Sequence, residues 1–113
     1  MNTRMQVRLW LWQRVSAAML APLVLIHLGT IIYAVHAGLS AAAILARLHE
    51  NMWFGGFYAL FVLACAAHVP VGVARIAEEW LAWRGAKAMV LGGAFGLLVL
   101  VEGLRAVYGV VLS

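Results

Sequence analysis

Charged side chains are scarce in this chain. Asp, Glu, Lys and Arg make up 11% of its 113 residues, whereas a soluble domain carries about 25%. This scarcity excludes an ordinary water-soluble domain. The apolar residues, 66% of the chain, form three long blocks, each near or above the roughly 20 residues that span a bilayer as a helix. The sequence therefore predicts an all-α integral membrane protein with three transmembrane helices.

Several other signals are missing. The one cysteine, Cys65, lies in an apolar block, which excludes an internal disulfide, and we interpret it as a packing residue. No basic run with interleaved aromatic residues suggests nucleic acid as a partner. The first apolar block is too long for a signal peptide and no small-residue cleavage site follows it, so we do not expect a secretory precursor. Without paired carboxylates, a nucleophile elbow, a phosphate loop or a zinc-type cluster, we expect no hydrolytic chemistry.

Residues 1–113 are predicted to form a single domain of three helices, at about 15–35, 53–77 and 88–112. Pro22 should kink the first helix, because proline removes a backbone donor and clashes with the preceding turn. Residues 1–14 are predicted to be a short amphipathic lead in the headgroup layer, where tryptophan beside arginine is favoured. In the first connection, Ser40 is a candidate N-cap for a short surface helix.

The distribution of Lys and Arg predicts the orientation. The N-terminal lead and the second connection together hold six basic residues: Arg4, Arg8, Arg14, Arg75, Arg84 and Lys87. The first connection holds Arg47 alone. By the positive-inside rule the N-terminus and second connection should face the cytoplasm, or the matrix of an organelle, and the C-terminus the opposite side.

One face of the second helix has the residues for a haem site. His68, Gly72, Arg75 and Glu79 are spaced by four, three and four residues, so they share a helix face. An imidazole can ligate haem iron. Glycine one turn away leaves room for a flat macrocycle, and Arg75 could contact its propionates.

His27 is a second histidine inside a span. Burying an ionisable residue in a membrane is costly, so each is a functional candidate, with a neutral imidazole hydrogen-bonded between helices as the alternative. The rise of a helix puts His27 and His68 at depths that differ by roughly 5–10 Å. Two ligands of one upright haem should lie at nearly the same depth. We therefore infer two different haems, each with its second ligand from another chain.

Two further groups have alternative interpretations. Arg14 and Ser16, with Trp12 and Gln13, could hydrogen-bond a quinone carbonyl, or could only anchor the helix at the interface. In the third span, Glu102 and Arg105 can pair because they are three residues apart. Glu102 could instead relay protons, and Arg105 could contact the propionate of an outer haem; we favour the structural pair.

Together these residues resemble the membrane anchor (cytochrome b) subunits of the succinate dehydrogenase and fumarate reductase family. In that family a helix-two haem ligand is followed by Gly at +4, a basic residue at +7 and an acidic residue at +11, here His68, Gly72, Arg75 and Glu79. An Arg-Val-Ser near the first span recurs there too, here Arg14-Val15-Ser16.

His27 resembles the further ligand that dihaem members carry deep in the first helix and that single-haem members lack. Two positions depart from the family pattern. In one class of anchors the acidic residue is Asp followed by a quinone-binding Tyr, where this chain has Glu79-Trp80. A small hydroxyl residue four before the arginine also helps to bind quinone in some anchors, and here that residue is Trp10.

The resemblance implies a non-catalytic subunit of an oxidoreductase that lies in the inner (cytoplasmic) membrane. Its cofactor would be haem b, with one or two haems shared with a partner subunit, and quinone would be the substrate. It implies flavoprotein and iron–sulfur subunits on the cytoplasmic face, which hold the dicarboxylate site, and a second anchor subunit or second copy in the lipid. Three alternatives stay open: a single-haem anchor with His27 only packed, a haem-free structural or assembly subunit, and a transport component that uses Glu102.

Overall fold

The computed structural model describes residues 2–112, which contain helices and their connections but no strand. The helices are α1 (Thr3–Ala37), α2 (Ala41–Leu48), α3 (Met52–Trp80) and α4 (Ala86–Val107), and a π-helical turn, Tyr108–Leu112, continues α4. Three helices are long and apolar enough to cross a membrane: Thr3–Ala37, Met52–Trp80 and Ala86–Leu112. The prediction of three membrane-spanning helices is confirmed.

The first helix begins earlier than predicted. α1 starts at Thr3, about three turns before residue 15, so residues 3–14 continue the helix and are not a separate lead. The predicted boundary followed the apolar run, but a helix ends only where its backbone bonding is interrupted. Residues 3–14 contain neither Gly nor Pro, and the Asn2 side chain caps the helix by accepting from the Met5 amide at 2.8 Å. α1 then continues through Pro22.

The short surface helix forms as predicted. The Ser40 hydroxyl accepts a hydrogen bond from the Ala43 amide at 3.1 Å and caps α2. After α2 the chain turns at Glu50, whose φ is 59°. The Glu50 amide donates to the Val111 carbonyl at 2.7 Å, which ties this turn to the end of the third span.

α3 is the central helix, because it packs against α1 on one side and more extensively against α4 on the other. Glycines let α4 approach closely. A Cβ at Gly92 would collide with the Pro70 carbonyl oxygen, one at Gly96 would lie 2.5 Å from the Pro70 ring, and one at Gly103 would lie 2.6 Å from Val62. The α3–α4 contact is therefore a steric fit around Pro70, two residues after His68.

Candidate haem and quinone sites between α1 and α3

His68 is held by a hydroxyl of α1. The Ser16 oxygen lies 3.1 Å from His68 Nδ1, and the Ser16 hydroxyl donates its one hydrogen to the Gln13 carbonyl at 3.0 Å. In this arrangement the Ser16 oxygen accepts from the imidazole, which favours a hydrogen on His68 Nδ1 and a lone pair on Nε2. Haem iron needs that tautomer when it is bound through Nε2, and such outer hydrogen bonds fix the ring of a metal-ligating histidine.

The other side of the imidazole faces a poorly satisfied amide. Gln13 Nε2 lies 3.5 Å from His68 Nε2, at the outer limit of a hydrogen bond. The same amide covers Gly72, because a Cβ there would lie 3.1 Å from Gln13 Nε2. Gln13 Oε1 is buried without a hydrogen-bond partner among the described residues. A group that displaces the Gln13 side chain from His68 and Gly72 therefore breaks only one long hydrogen bond. The site can accommodate the edge of a haem in this way.

A second polar contact holds α1 and α3 together at the level of His68. The Trp12 indole N–H donates to the Ala67 carbonyl at 2.6 Å. Beside this contact lies a cavity of about 260 Å³ between α1 and α3, lined by Arg8, Trp12, Pro70 and Val71 among others. Arg8 contributes a cation to a cavity whose other walls are mainly apolar.

His27 lies on the same α1–α3 contact, further along α1. Its ring centroid is 5.6 Å from that of Tyr58, edge to face, and 5.2 Å from that of Phe61. His27 Nδ1 is buried and has no hydrogen-bond partner within residues 2–112. A buried polar atom without a partner costs about 1–3 kcal/mol, so this nitrogen is placed to meet a group from outside the described chain. The aromatic surroundings suit a macrocycle as well as simple packing.

The two imidazoles lie at different levels. His68 contacts Ser16, and His27 lies eleven residues further along α1, about 16 Å at 1.5 Å per residue. Along α3, Tyr58 and Phe61 precede His68 by ten and seven residues, about 10–15 Å. The separation exceeds the roughly 5–10 Å expected from the predicted helix ends. The described chain does not bring the two histidines to one iron.

The charged end of α3 is arranged differently from the predicted face. Arg75 Nη1 pairs with Glu78 Oε2 at 3.2 Å, one turn along the helix, whereas Glu79 is exposed. The Arg75 side chain is 43% exposed, so the rest of its guanidinium can be reached by a ligand or a partner. A contact with a propionate would therefore add to the Glu78 pair and need not break it.

Arg14 and Ser16 are not brought together. Two residues along a helix differ by about 200°, and Ser16 is buried against His68 while Arg14 is exposed. The Arg14 guanidinium lies 5.6 Å from the ring centroid of Trp10. Any quinone contact of Arg14 would need a surface completed by another chain. The Ser16 hydroxyl is already in hydrogen-bond contact with His68.

Glu102 and Arg105 form the predicted pair, at 3.2 Å between Oε1 and Nη1. Their side chains are 56% and 74% exposed, so the pair lies on the outer surface of α4, away from the α1–α3 contact. His36 is exposed, and its Nδ1 lies 2.9 Å from the Ile32 carbonyl. His49 is also exposed and lies 3.9 Å from Glu50.

A sequence model of the succinate dehydrogenase/fumarate reductase transmembrane subunit family matches residues 1–101. The chain belongs to this family. The match includes α1, α2, α3 and most of α4, and so extends beyond the motifs around Arg14 and His68. No curated protein and no solved structure matches the chain. The resemblance inferred from the sequence is confirmed, and with it a membrane subunit of a succinate dehydrogenase or fumarate reductase complex.

Sequence reasoning about this transmembrane subunit missed the pairing of Ser16 with His68. Gln13 and Ser16 are three residues apart and so share a face of α1, which indicates that they point to one neighbour. The spacing could not identify that neighbour. The Thr30–Tyr58 hydrogen bond, 3.0 Å long beside His27, was missed for the same reason: a contact between helices depends on their relative level, which neither apolar block specifies.

Proposed function

We propose that this subunit binds haem b through His68 Nε2 and carries electrons between peripheral flavin and iron–sulfur subunits and membrane quinone. The observation that supports the proposal is the hydrogen-bonded imidazole: the Ser16 oxygen lies 3.1 Å from Nδ1, placed to accept from it, and in the described chain the hydrogen-bond contact of Nε2 is the long one to the displaceable amide of Gln13. When bound, haem supplies a one-electron redox centre. The chain itself orients the ligand, makes room at Gly72 and offers Arg75 to a propionate.

For His27 we propose a second haem, nearer the opposite side of the membrane. Support comes from the orphaned Nδ1 and from the separation of about 10–16 Å along the helices, which favours two irons over a shared one. Each haem then needs a ligand from a second anchor subunit or a second copy of this chain. A single-haem anchor, with His27 packed between Tyr58 and Phe61, is the second candidate.

For quinone we propose the cytoplasmic end of α1, as the sequence predicts. Arg14 lies on its exposed side, and the cavity at Arg8 and Trp12 lies close to Ala67, the neighbour of His68. The peripheral subunits would dock on this end, which carries most of the positive charge. The N-terminus then faces the cytoplasm, the subunit lies in the inner membrane, and the dicarboxylate reacts on the flavoprotein.

The test is the ratio of haem b to flavin in the detergent-purified complex, from reduced-minus-oxidised spectra, for native protein, His68→Ala and His27→Ala. His36→Ala is the matched control, because His36 lies on α1 but is exposed. We expect two haems in native protein and in the control, and the loss of one haem in each of the other variants. A native complex with one haem, unchanged in His27→Ala, would support the single-haem anchor. A native complex without haem would refute the proposal and favour a structural subunit.

A further inference from the structure

A groove of about 750 Å³ lies between α1, α2 and the start of α3. This volume is within the roughly 300–1,000 Å³ of small-molecule sites. Its walls are mainly apolar and include Ile26, Ala34, Leu39, Ile44 and Phe54. The groove lies at the α2 end of the bundle, away from the His68 site, and none of the proposed cofactor ligands lines it.

One cation is fixed in this groove. α2 directs Ile44, Arg47 and Leu48 into it from a single helix face. Arg47 Nη2 donates to the Gly38 carbonyl at 2.8 Å, and the guanidinium lies 5.6 Å from the ring centroid of Tyr33. Within residues 2–112 no carboxylate pairs with Arg47. The charge is therefore held in place without a counter-ion.

The polar groups deeper in the groove satisfy one another. Thr30 donates its hydroxyl hydrogen to the His27 carbonyl at 2.7 Å, so the Tyr58 hydroxyl donates to Thr30 in their 3.0 Å contact. Neither hydroxyl then has a hydrogen left for the carbonyl of a quinone. The donors that remain among the lining side chains are the Arg47 guanidinium, at the level of the surface helix α2, and the hydroxyl of Tyr33, whose ring lies beside that guanidinium.

We propose that the groove binds a phospholipid, with one acyl chain along its apolar walls and the phosphate at Arg47. A guanidinium has five N–H donors in a planar fork that suits phosphate, and the bond to the Gly38 carbonyl uses one of them. An anionic phosphate supplies the missing counter-ion, while the acyl chain covers the apolar walls. The Arg47 charge beside a long apolar wall therefore favours a ligand with an anionic head and an apolar chain.

The test uses the full complex in detergent and two probes with the same acyl chains, phosphatidylglycerol and diacylglycerol. Bound lipid is counted by native mass spectrometry during titration. We expect phosphatidylglycerol to bind about tenfold more tightly, the effect of a hydrogen bond to a charged group. Arg47→Gln should remove that difference, and Arg47→Lys should retain part of it.

Two glycine variants test the groove independently of the charge. A side chain at Gly29 meets nothing within 4 Å and would project into the groove, so Gly29→Leu should prevent binding of both probes. Gly93 is equally open but lies on α4, away from the groove, so Gly93→Leu should bind both as native protein does. The haem-to-flavin ratio, measured alongside, should stay unchanged in every variant.

Three results would overturn the proposal. Equal affinity for the two probes in native protein would remove the role of Arg47, and unchanged binding in Gly29→Leu would place the lipid elsewhere. Displacement of bound phosphatidylglycerol by a short-chain quinone at equal concentration would assign the groove to quinone. Because each readout is lipid binding, none of these results depends on whether His68 or His27 binds haem.

Discussion

Replacing Ser16 by Ala removes the one acceptor that His68 Nδ1 has in the described chain, and its effect can be worked out from the geometry. The contact is 3.1 Å long and Ser16 is buried, so water is a poor substitute. A hydrogen bond of this type contributes about 0.5–1.5 kcal/mol net. An Nδ1–H that donates makes the imidazole a stronger electron donor to a metal. Without this hydrogen bond, the Fe(II) state of the haem is favoured over the Fe(III) state.

For a one-electron centre, 59 mV corresponds to 1.4 kcal/mol. The hydrogen bond is present in both oxidation states, so its full energy sets the upper limit, and Ser16→Ala should raise the midpoint potential of one haem by up to about 65 mV. Redox titration of the purified complex, followed by absorbance, measures this shift. Ser16→Thr retains a hydroxyl acceptor and should restore most of the native potential. Thr30→Ala is the control, because it removes a hydroxyl from the same helix at the level of His27.

A merely structural role for Ser16 would lower the thermal stability of the complex without moving a haem potential. Unchanged potentials in Ser16→Ala at full haem content would therefore refute the argument that Ser16 sets the state of His68. A shift of equal size in Ser16→Ala and Ser16→Thr would attribute the effect to packing. In either case the haem content alone would still test His68 as a ligand.

Two further predictions concern α4. Gly92→Ala places a methyl group against the Pro70 carbonyl, so the α3–α4 contact must open, the stability should fall by about 1–3 kcal/mol, and the melting temperature in detergent should fall with it. The control is Gly93→Ala, whose Cβ meets nothing and which should change the stability by less than about 0.5 kcal/mol. Equal melting temperatures of the two variants would contradict the close fit. Glu102→Gln breaks a pair on the outer surface of α4, away from the α1–α3 contact, so haem content and quinone reduction should stay native. A loss of activity at full haem content would revive the proton-relay role.

The sequence predicted the spans because bilayer thickness sets their length. It predicted the cap at Ser40 because a cap depends on neighbours within one turn of helix. It predicted the Glu102–Arg105 pair for the same reason, since both groups lie on one helix face. The start of α1 at Thr3 was missed because hydropathy reports where an apolar run begins, and a helix can continue beyond it.

Contacts between helices were the part that could not be predicted. Whether Ser16 meets His68 or a quinone depends on how far α1 is displaced along α3, and a shift of one turn is about 5.4 Å. The Trp12–Ala67 hydrogen bond and the packing of His27 on Tyr58 record that displacement. Both require the three-dimensional packing of side chains. The same limit applies to Arg47, whose place in the lipid groove depends on how α2 folds back.

The two sides of α3 are held by different kinds of contact, and this difference is the reason that we place the proposed haem and quinone sites on the α1 side. Against α4, the contact is steric: Gly92 and Gly96 receive Pro70 and offer no side-chain polar group. Against α1, the contacts include hydrogen bonds at Trp12, Ser16 and Thr30. The close fit on Pro70 fixes the backbone that carries His68. The imidazole itself points to the polar side, where the Gln13 side chain is poorly hydrogen-bonded and can be displaced. His68 therefore combines a backbone held rigidly by the Pro70 contact with a side-chain neighbour, Gln13, that a ligand can replace.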